Sequence, residues 1–181
     1  MDLFDYLLAK QSGGGGGYPP PVAPKDSLLF YSENEIGISI SNATKNWGGT
    51  LYYSTDHNTW SVWNGTTEIV SSKNKGWHSI YLRGKGSKRI AGQIGSQFVI
   101  RGSSITCAGN CNNLLDYTKD PELSVGAFGY LFYNCSNVSF SVTLPATKLS
   151  NSAYSYMFYG CTSLTTVTIP DSVTRIGNAA F

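Results

Sequence analysis

Between residues 27 and 104, apolar positions come in short runs separated by Asn, Gly, Asp and Ser. Leu28-Leu29-Phe30-Tyr31, Ile36-Gly37-Ile38-Ser39-Ile40, Leu51-Tyr52-Tyr53-Ser54, Ser79-Ile80-Tyr81-Leu82-Arg83 and Gln97-Phe98-Val99-Ile100 are strand-length, and several alternate apolar with polar. Alternation over four to eight residues is the period of a half-buried strand. Short strands at close spacing predict a small β-sandwich-like module over residues 27–104.

From residue 105 onward the pattern changes from alternation to repetition. Tyr130-Leu131-Phe132-Tyr133-Asn134-Cys135-Ser136-Asn137-Val138 returns 26 residues later as Tyr156-Met157-Phe158-Tyr159-Gly160-Cys161-Thr162-Ser163-Leu164. Each copy runs into an apolar strand that stops at a proline, Val142-Thr143-Leu144-Pro145 and Val167-Thr168-Ile169-Pro170, now 25 residues apart. A period in the mid-twenties predicts a short solenoid of about two repeats, whose units bury a core by stacking and present a repetitive face suited to binding.

The N-terminus follows a third pattern. Leu3, Phe4, Leu7 and Leu8 fall on one face of a helix over residues 1–12, with acidic residues at its start and Lys10 near its end. A helix of about ten residues does not hold alone in water, so Leu3, Phe4, Tyr6, Leu7 and Leu8 are expected to dock, either onto a partner or back onto the chain. Residues 13–26 read as a linker, flexible at Gly13 to Gly17 and stiff and extended at Pro19-Pro20-Pro21.

Composition narrows the function classes. Only 13% of the 181 residues are charged and the net charge is +2, too little to imply nucleic acid as a partner. Arg83-Gly84-Lys85-Gly86-Ser87-Lys88-Arg89 reads as a cationic turn on a solvated edge strand. No run of about 20 apolar residues implies membrane insertion. The start, Met1-Asp2-Leu3-Phe4-Asp5, is acidic where a secretory signal needs positive charge.

Chemistry-bearing residues are sparse. Cys135 and Cys161 occupy equivalent repeat positions, as expected of small packed side chains, and the spacing of Cys107 and Cys111 does not match common zinc knuckles. His57 and His78 are the only imidazoles, and no nucleophile elbow, phosphate loop, metalloprotease motif or paired carboxylates stand out. No enzymatic activity, cofactor or metal site is therefore expected. Trp60 and Trp63 lie three apart, on opposite sides of a strand. Packing of both in the core is the commoner outcome for such a pair; otherwise one fills the core and the other offers a platform to a sugar ring or aromatic partner. Trp47 and Trp77 flank glycine turns and carry no functional expectation.

Phe158-Tyr159-Gly160-Cys161-Thr162-Ser163-Leu164-Thr165-Thr166-Val167-Thr168-Ile169-Pro170, continuing through Val173, Ile176-Gly177 and Ala180-Phe181, resembles the BspA-like leucine-rich repeat family. The resemblance covers roughly residues 105–181, with a more diverged copy at residues 132–147. It implies that Phe132, Phe158, Leu164, Val167 and Ile169 point inward and that Thr165, Thr166 and Thr168 lie outside. It also implies a bacterial cell-surface location. The chain stops at Phe181 as a third unit begins, so another chain or further residues are expected to cover that end.

The N-terminal Met1 to Lys10, followed by polyglycine, resembles the start of structural proteins encoded by phages and prophages of gut Firmicutes. That resemblance implies a non-enzymatic virion accessory or fibre-like protein. Its N-terminal helix would dock on other virion proteins, and its β and repeat modules would meet a host-surface glycan or protein. A homotrimer is the assembly that fibre proteins suggest. The alternative is a fragment of a bacterial cell-surface adhesin.

Overall fold

The computed structural model describes residues 18–41, 48–90, 96–119, 121, 123–144, 152–168 and 179–181. The expected N-terminal helix, with Leu3, Phe4, Tyr6, Leu7 and Leu8, and also Trp47, Pro145, Ile169 and Pro170, lie outside them.

The fold is mainly β, built from two sheets with no closed barrel. Its strands are β1 (Leu28–Ser32), β2 (Gly37–Ile40), β3 (Thr50–Ser54), β4 (Ser61–Trp63), β5 (Ile69–Val70), β6 (Ser72–Asn74), β7 (Trp77–Lys85), β8 (Phe98–Arg101), β9 (Ile105–Asn110) and β10 (Val138–Thr143). The larger sheet runs β10-β9-β1-β7-β3-β4, with β6 also paired to β7, and the smaller runs β5-β2-β8. Pairing is antiparallel except between β9 and β10.

The alternation seen in the sequence sets which face is buried. Leu28 and Phe30 of β1, Ile80 and Leu82 of β7, Ile38 and Ile40 of β2, and Phe98 of β8 all join one core. Phe30 meets Phe98 edge-on across the two sheets, with ring centroids 5.8 Å apart. Trp63 is buried in the same core, stacked on Phe98, and its indole N–H donates to the Thr67 carbonyl at 2.8 Å.

β9 joins the two regions of the sequence. On one side it pairs antiparallel with β1, and on the other it pairs parallel with β10 in the repeats. Phe30, Cys107 and Phe140 therefore lie in one row across three strands. The small, fully buried Cys107 fits between two phenyl-bearing positions. Beyond β10 the parallel direction continues in a bridge between Thr143 and Thr168.

Two sequence expectations change. The basic run starts on no edge strand: Arg83 to Lys85 belong to β7, an interior strand between β1 and β3, and only its end and the bend that follows, with Lys85, Gly86 and Lys88, are solvated. Gly84 sits so close to the Leu114 carbonyl that a Cβ would collide with it, and Arg83 is drawn into an ion pair with Asp26 at 2.8 Å. The second half of the expected linker is likewise no free spacer. Trp77 donates its indole N–H to the Tyr18 carbonyl, Asn113 donates to the Lys25 carbonyl, and Asp26 reaches both His57 and Arg83. Residues 18–26 thus form a strap lying against the module. Leu29 is fully buried as well, on the face of β1 opposite Leu28 and Phe30.

Candidate binding surfaces

The repeats are wound from turns whose hydrogen bonds alternate. The N–H groups of Leu131, Tyr133 and Cys135 bond locally, to the carbonyls of Phe128, Tyr130 and Phe132. The N–H groups of Phe128, Tyr130, Phe132 and Asn134 instead reach the next copy, at Ala153, Ser155, Met157 and Tyr159. Every second residue is thereby tied to the copy above it, and side chains 26 residues apart fall into columns.

The inner column is phenylalanine. Phe132 stacks on Phe158 at 5.5 Å, and Phe158 stacks on Phe181 at 6.0 Å. Phe98 extends this column into the module. Its N–H bonds the carbonyl of Leu131, just as that of Phe132 bonds Met157 and that of Phe158 bonds Ala180. Cys135 and Cys161 sit equivalently as well, each directing its thiol at the phenylalanine carbonyl one layer back, Phe98 and Phe132. Leu164 and Val167 pack partly buried against this core, while Thr165, Thr166 and Thr168 are exposed, as the resemblance implied.

The outer columns are tyrosine. Tyr130 stacks on Tyr156 with centroids 4.8 Å apart and planes 6° from parallel. Tyr133 stacks on Tyr159 at 5.2 Å and 9°. Tyr130–Tyr133 and Tyr156–Tyr159 contacts close the four rings into one face, on which Tyr159 is 44% exposed. Tyr130 and Tyr156 both hold left-handed backbone, with φ of 61° and 54°. Positive φ recurs at every fourth residue of these turns, at Gly126, Tyr130 and Asn134 and again at Ser152, Tyr156 and Gly160, so the winding of the repeats imposes it on both tyrosines at a steric cost.

A second aromatic cluster lies on the module. The Arg83 guanidinium is sandwiched between Trp60, 3.7 Å from the ring centroid, and Tyr117, at 4.1 Å. Asp26 holds the edge of Arg83 and lies 3.0 Å from His57 Nε2. Burial acts to raise the Asp26 pKa, but the hydrogen bond to His57 and the charges of His57 and Arg83 hold it below the ordinary carboxylate value. The two tryptophans do not both pack in the core; Trp63 is the core residue. Trp60 is half-buried, with Arg83 on one face and His57 edge-on at 5.6 Å.

A polar turn at Asp56 to Thr59 is built by Asp56. Its Oδ1 accepts from the N–H groups of Thr59 and Asn58 and from the Ser54 hydroxyl, each at 2.8 Å. Those bonds, Thr59 first, lower its pKa to about 2. His57 follows in left-handed backbone, at φ 62°.

All four cysteines are free and buried. Burial raises every thiol, Cys111 to about 12 and Cys161 to about 11, so all four stay protonated at neutral pH and pack as small apolar groups.

The tyrosine face escaped a reading that looked for catalytic sets. Its signal was present, however: Tyr130, Tyr133, Tyr156 and Tyr159 recur at the repeat period, out of phase with the inward Phe132 and Phe158. Trp77 was set aside as a turn neighbour and proves to hold the strap. Among the described residues, no helix is long and apolar enough to cross a membrane.

Comparison with known families bears on the C-terminal region. Residues 109–181 match the family described as BspA type Leucine rich repeat region (6 copies). That span includes both stacked copies and the four tyrosines. No curated protein and no solved structure matches the chain.

Proposed function

We propose that this chain is a non-enzymatic surface-binding module, of the adhesin kind, that contacts a glycan or protein on a host surface through the tyrosine face of its repeats. The observation that carries the reading is the pair of stacked columns, Tyr130–Tyr156 and Tyr133–Tyr159, held by left-handed backbone at two bulky residues. Tyrosine offers large contact area at low side-chain entropy, with a hydroxyl for polar recognition, which suits a binding face. The match of residues 109–181 to BspA type repeats supports a surface module.

Of the two carriers expected from the sequence, that match favours the bacterial cell surface. The virion reading rests on the first ten residues, which lie outside both the matched span and the described residues. A homotrimer and docking on other virion proteins belong to that second reading. Fractionation separates the carriers: antibody to the chain should follow the cell envelope and not released particles.

The binding face is tested with Tyr133→Phe/Tyr159→Phe, which keeps ring stacking and removes two hydroxyls. Screened against immobilised host-surface glycans and proteins, the variant should lose binding while its thermal melt is unchanged. Binding equal to that of the unmodified chain would sink the assignment.

A further inference from the structure

The strap crosses the module at an aromatic cleft of about 530 Å³. Tyr18, Pro19 and Pro21 line one side; Trp77, Tyr81, Asn74 and Thr55 line the other. We propose that the Trp77 and Tyr81 wall of this cleft is a receptor for an extended proline tract, engaged here by the chain's own Tyr18-Pro19-Pro20-Pro21 along one side. The same cleft accepts a proline-rich segment of a partner when the chain's own tract is released. The proposal is independent of the tyrosine face.

The chemistry of the tract fits what the cleft offers. Three consecutive prolines have fixed φ and no N–H groups, so the segment is extended, forms no internal hydrogen bonds and cannot pair as a central strand. It can be recognised only through its carbonyls and its rings. Trp77 supplies the donor: its indole N–H meets the Tyr18 carbonyl at 3.2 Å. Pro19 and Pro21 are half-buried on the cleft side, while Pro20 and Val22 point outward, Val22 being 86% exposed. An indole donor to a carbonyl, with aromatic walls for alternate prolines, is the general mode by which proline-rich segments are bound.

The receptor side is built to hold still. Trp77 opens β7 directly after a two-residue hairpin turn at Lys75-Gly76, whose φ values of 48° and 83° are both positive, as the tight primed turn requires. The ring of Tyr31 meets Trp77 edge-on at 5.6 Å. The indole is thus fixed by the β6–β7 hairpin on one side and by β1 on the other. The tract is held more lightly, by half-buried rings and this one indole bond, and the cleft volume beside it remains open.

The short connection from Val22 to Asp26 keeps the chain's own tract beside the cleft at an effective concentration of about the millimolar range or above, so a free peptide competes poorly unless that tract is weakened. Pro19→Gly/Pro20→Gly/Pro21→Gly in the full chain removes its preorganisation. The Trp77 indole N–H resonance, assigned by its loss in Trp77→Phe, is the reporter. The probe is an acetylated peptide, Gly-Tyr-Pro-Pro-Pro-Val-Ala-Pro. It should move that resonance saturably in the triple variant, with an affinity at least about tenfold above that for the unmodified chain. Adding Trp77→Phe to the triple variant should lower peptide affinity up to about tenfold, read from the Tyr81 ring resonances. If the triple variant does not fold, the unmodified chain at roughly ten millimolar peptide carries the same test. Absence of a saturable shift, equal binding of a peptide with alanine at every proline, or saturation by a neutral oligosaccharide where the peptide has no effect would overturn the proposal.

Discussion

The module and the repeats solve the same burial problem differently. In the module, polar side chains find individual partners: Arg83 lies between Trp60 and Tyr117 with Asp26 at its edge, Trp63 bonds Thr67, and Arg101 spans Glu35 and Glu68. In the repeats each contact is made again one copy later, down to the thiol of Cys135 on Phe98 and of Cys161 on Phe132. Charge divides in the same way. From Leu123 to Pro170 there is no acidic residue, and Lys148 is the only basic one. One region therefore depends on particular long-range pairs. The other depends on a short unit that recurs and needs almost no electrostatics.

The sharpest way to break this contrast is at the residue that belongs to both. Phe132 touches Phe30 and Phe98 of the module and Phe140 and Phe158 of the repeats. Phe132→Ala should destabilise the chain by about 3–5 kcal/mol, the usual range for a fully buried phenylalanine. Because one core runs through both regions, chemical denaturation should show a single transition at lower denaturant. Two separated transitions, with the module's tryptophan signal unaffected by the substitution, would mean that the regions are independent.

The next effect lies where the module meets residues 111–117. Gly84 lies against the backbone of Leu114 and Leu115, where a Cβ has no room. Its own carbonyl accepts from the Tyr117 N–H at 3.0 Å. Gly84→Ala should cost about 1–3 kcal/mol, the range for overpacking a well-filled site, measured as a shift in denaturation midpoint. A neutral result would show that residues 111–117 move aside easily and that the module is less closely fitted to them than the contrast requires.

How much of this was legible follows the same division. The repeats announced themselves because their contacts are local or periodic: Phe132 and Phe158 are visibly equivalent, and the geometry makes them so. Strands β1, β2, β3, β7 and β8 were legible from alternation. β5 and β6, with two and three residues, carry too little pattern to read, and β9, with Thr106, Ala108 and Gly109, earns its place only by pairing with both β1 and β10. The strap was read as a spacer because a proline tract looks the same whether or not a groove receives it. Its partner, Trp77, is 59 residues away. Asp26 and Arg83, 57 residues apart, were invisible as a pair for the same reason.

That pair gives a smaller test. Asp26→Asn leaves the shape of the site and removes the charge facing Arg83 and His57. Arg83 is 16% exposed in its side chain and Asp26 37% exposed, so solvent screens part of the interaction. The expected loss is about 1 kcal/mol or less by thermal denaturation. A loss several times larger would mean that the strap is anchored chiefly here and not at Trp77.

The smallest effect should also be the most local. Asp56 has its carboxyl pKa lowered from 3.8 to about 2, first by the Thr59 N–H and then by the Asn58 N–H and the Ser54 hydroxyl. A depressed folded-state pKa means that the carboxylate favours the folded turn above the unfolded value of 3.8. That contribution declines as the pH falls below 3.8 and is gone once the pH has passed through about 2. Asp56→Ala should flatten the pH dependence of stability within that window and leave it unchanged near neutrality apart from a constant offset. Carbon-detected NMR titration should place the Asp56 midpoint near 2, whereas the amide resonances of the repeats between Leu123 and Leu144, where no carboxylate occurs, should show no matching inflection. If the repeats titrated in step with Asp56, the acid response would be shared through the common core, and the charged module could no longer be set against electrostatically silent repeats.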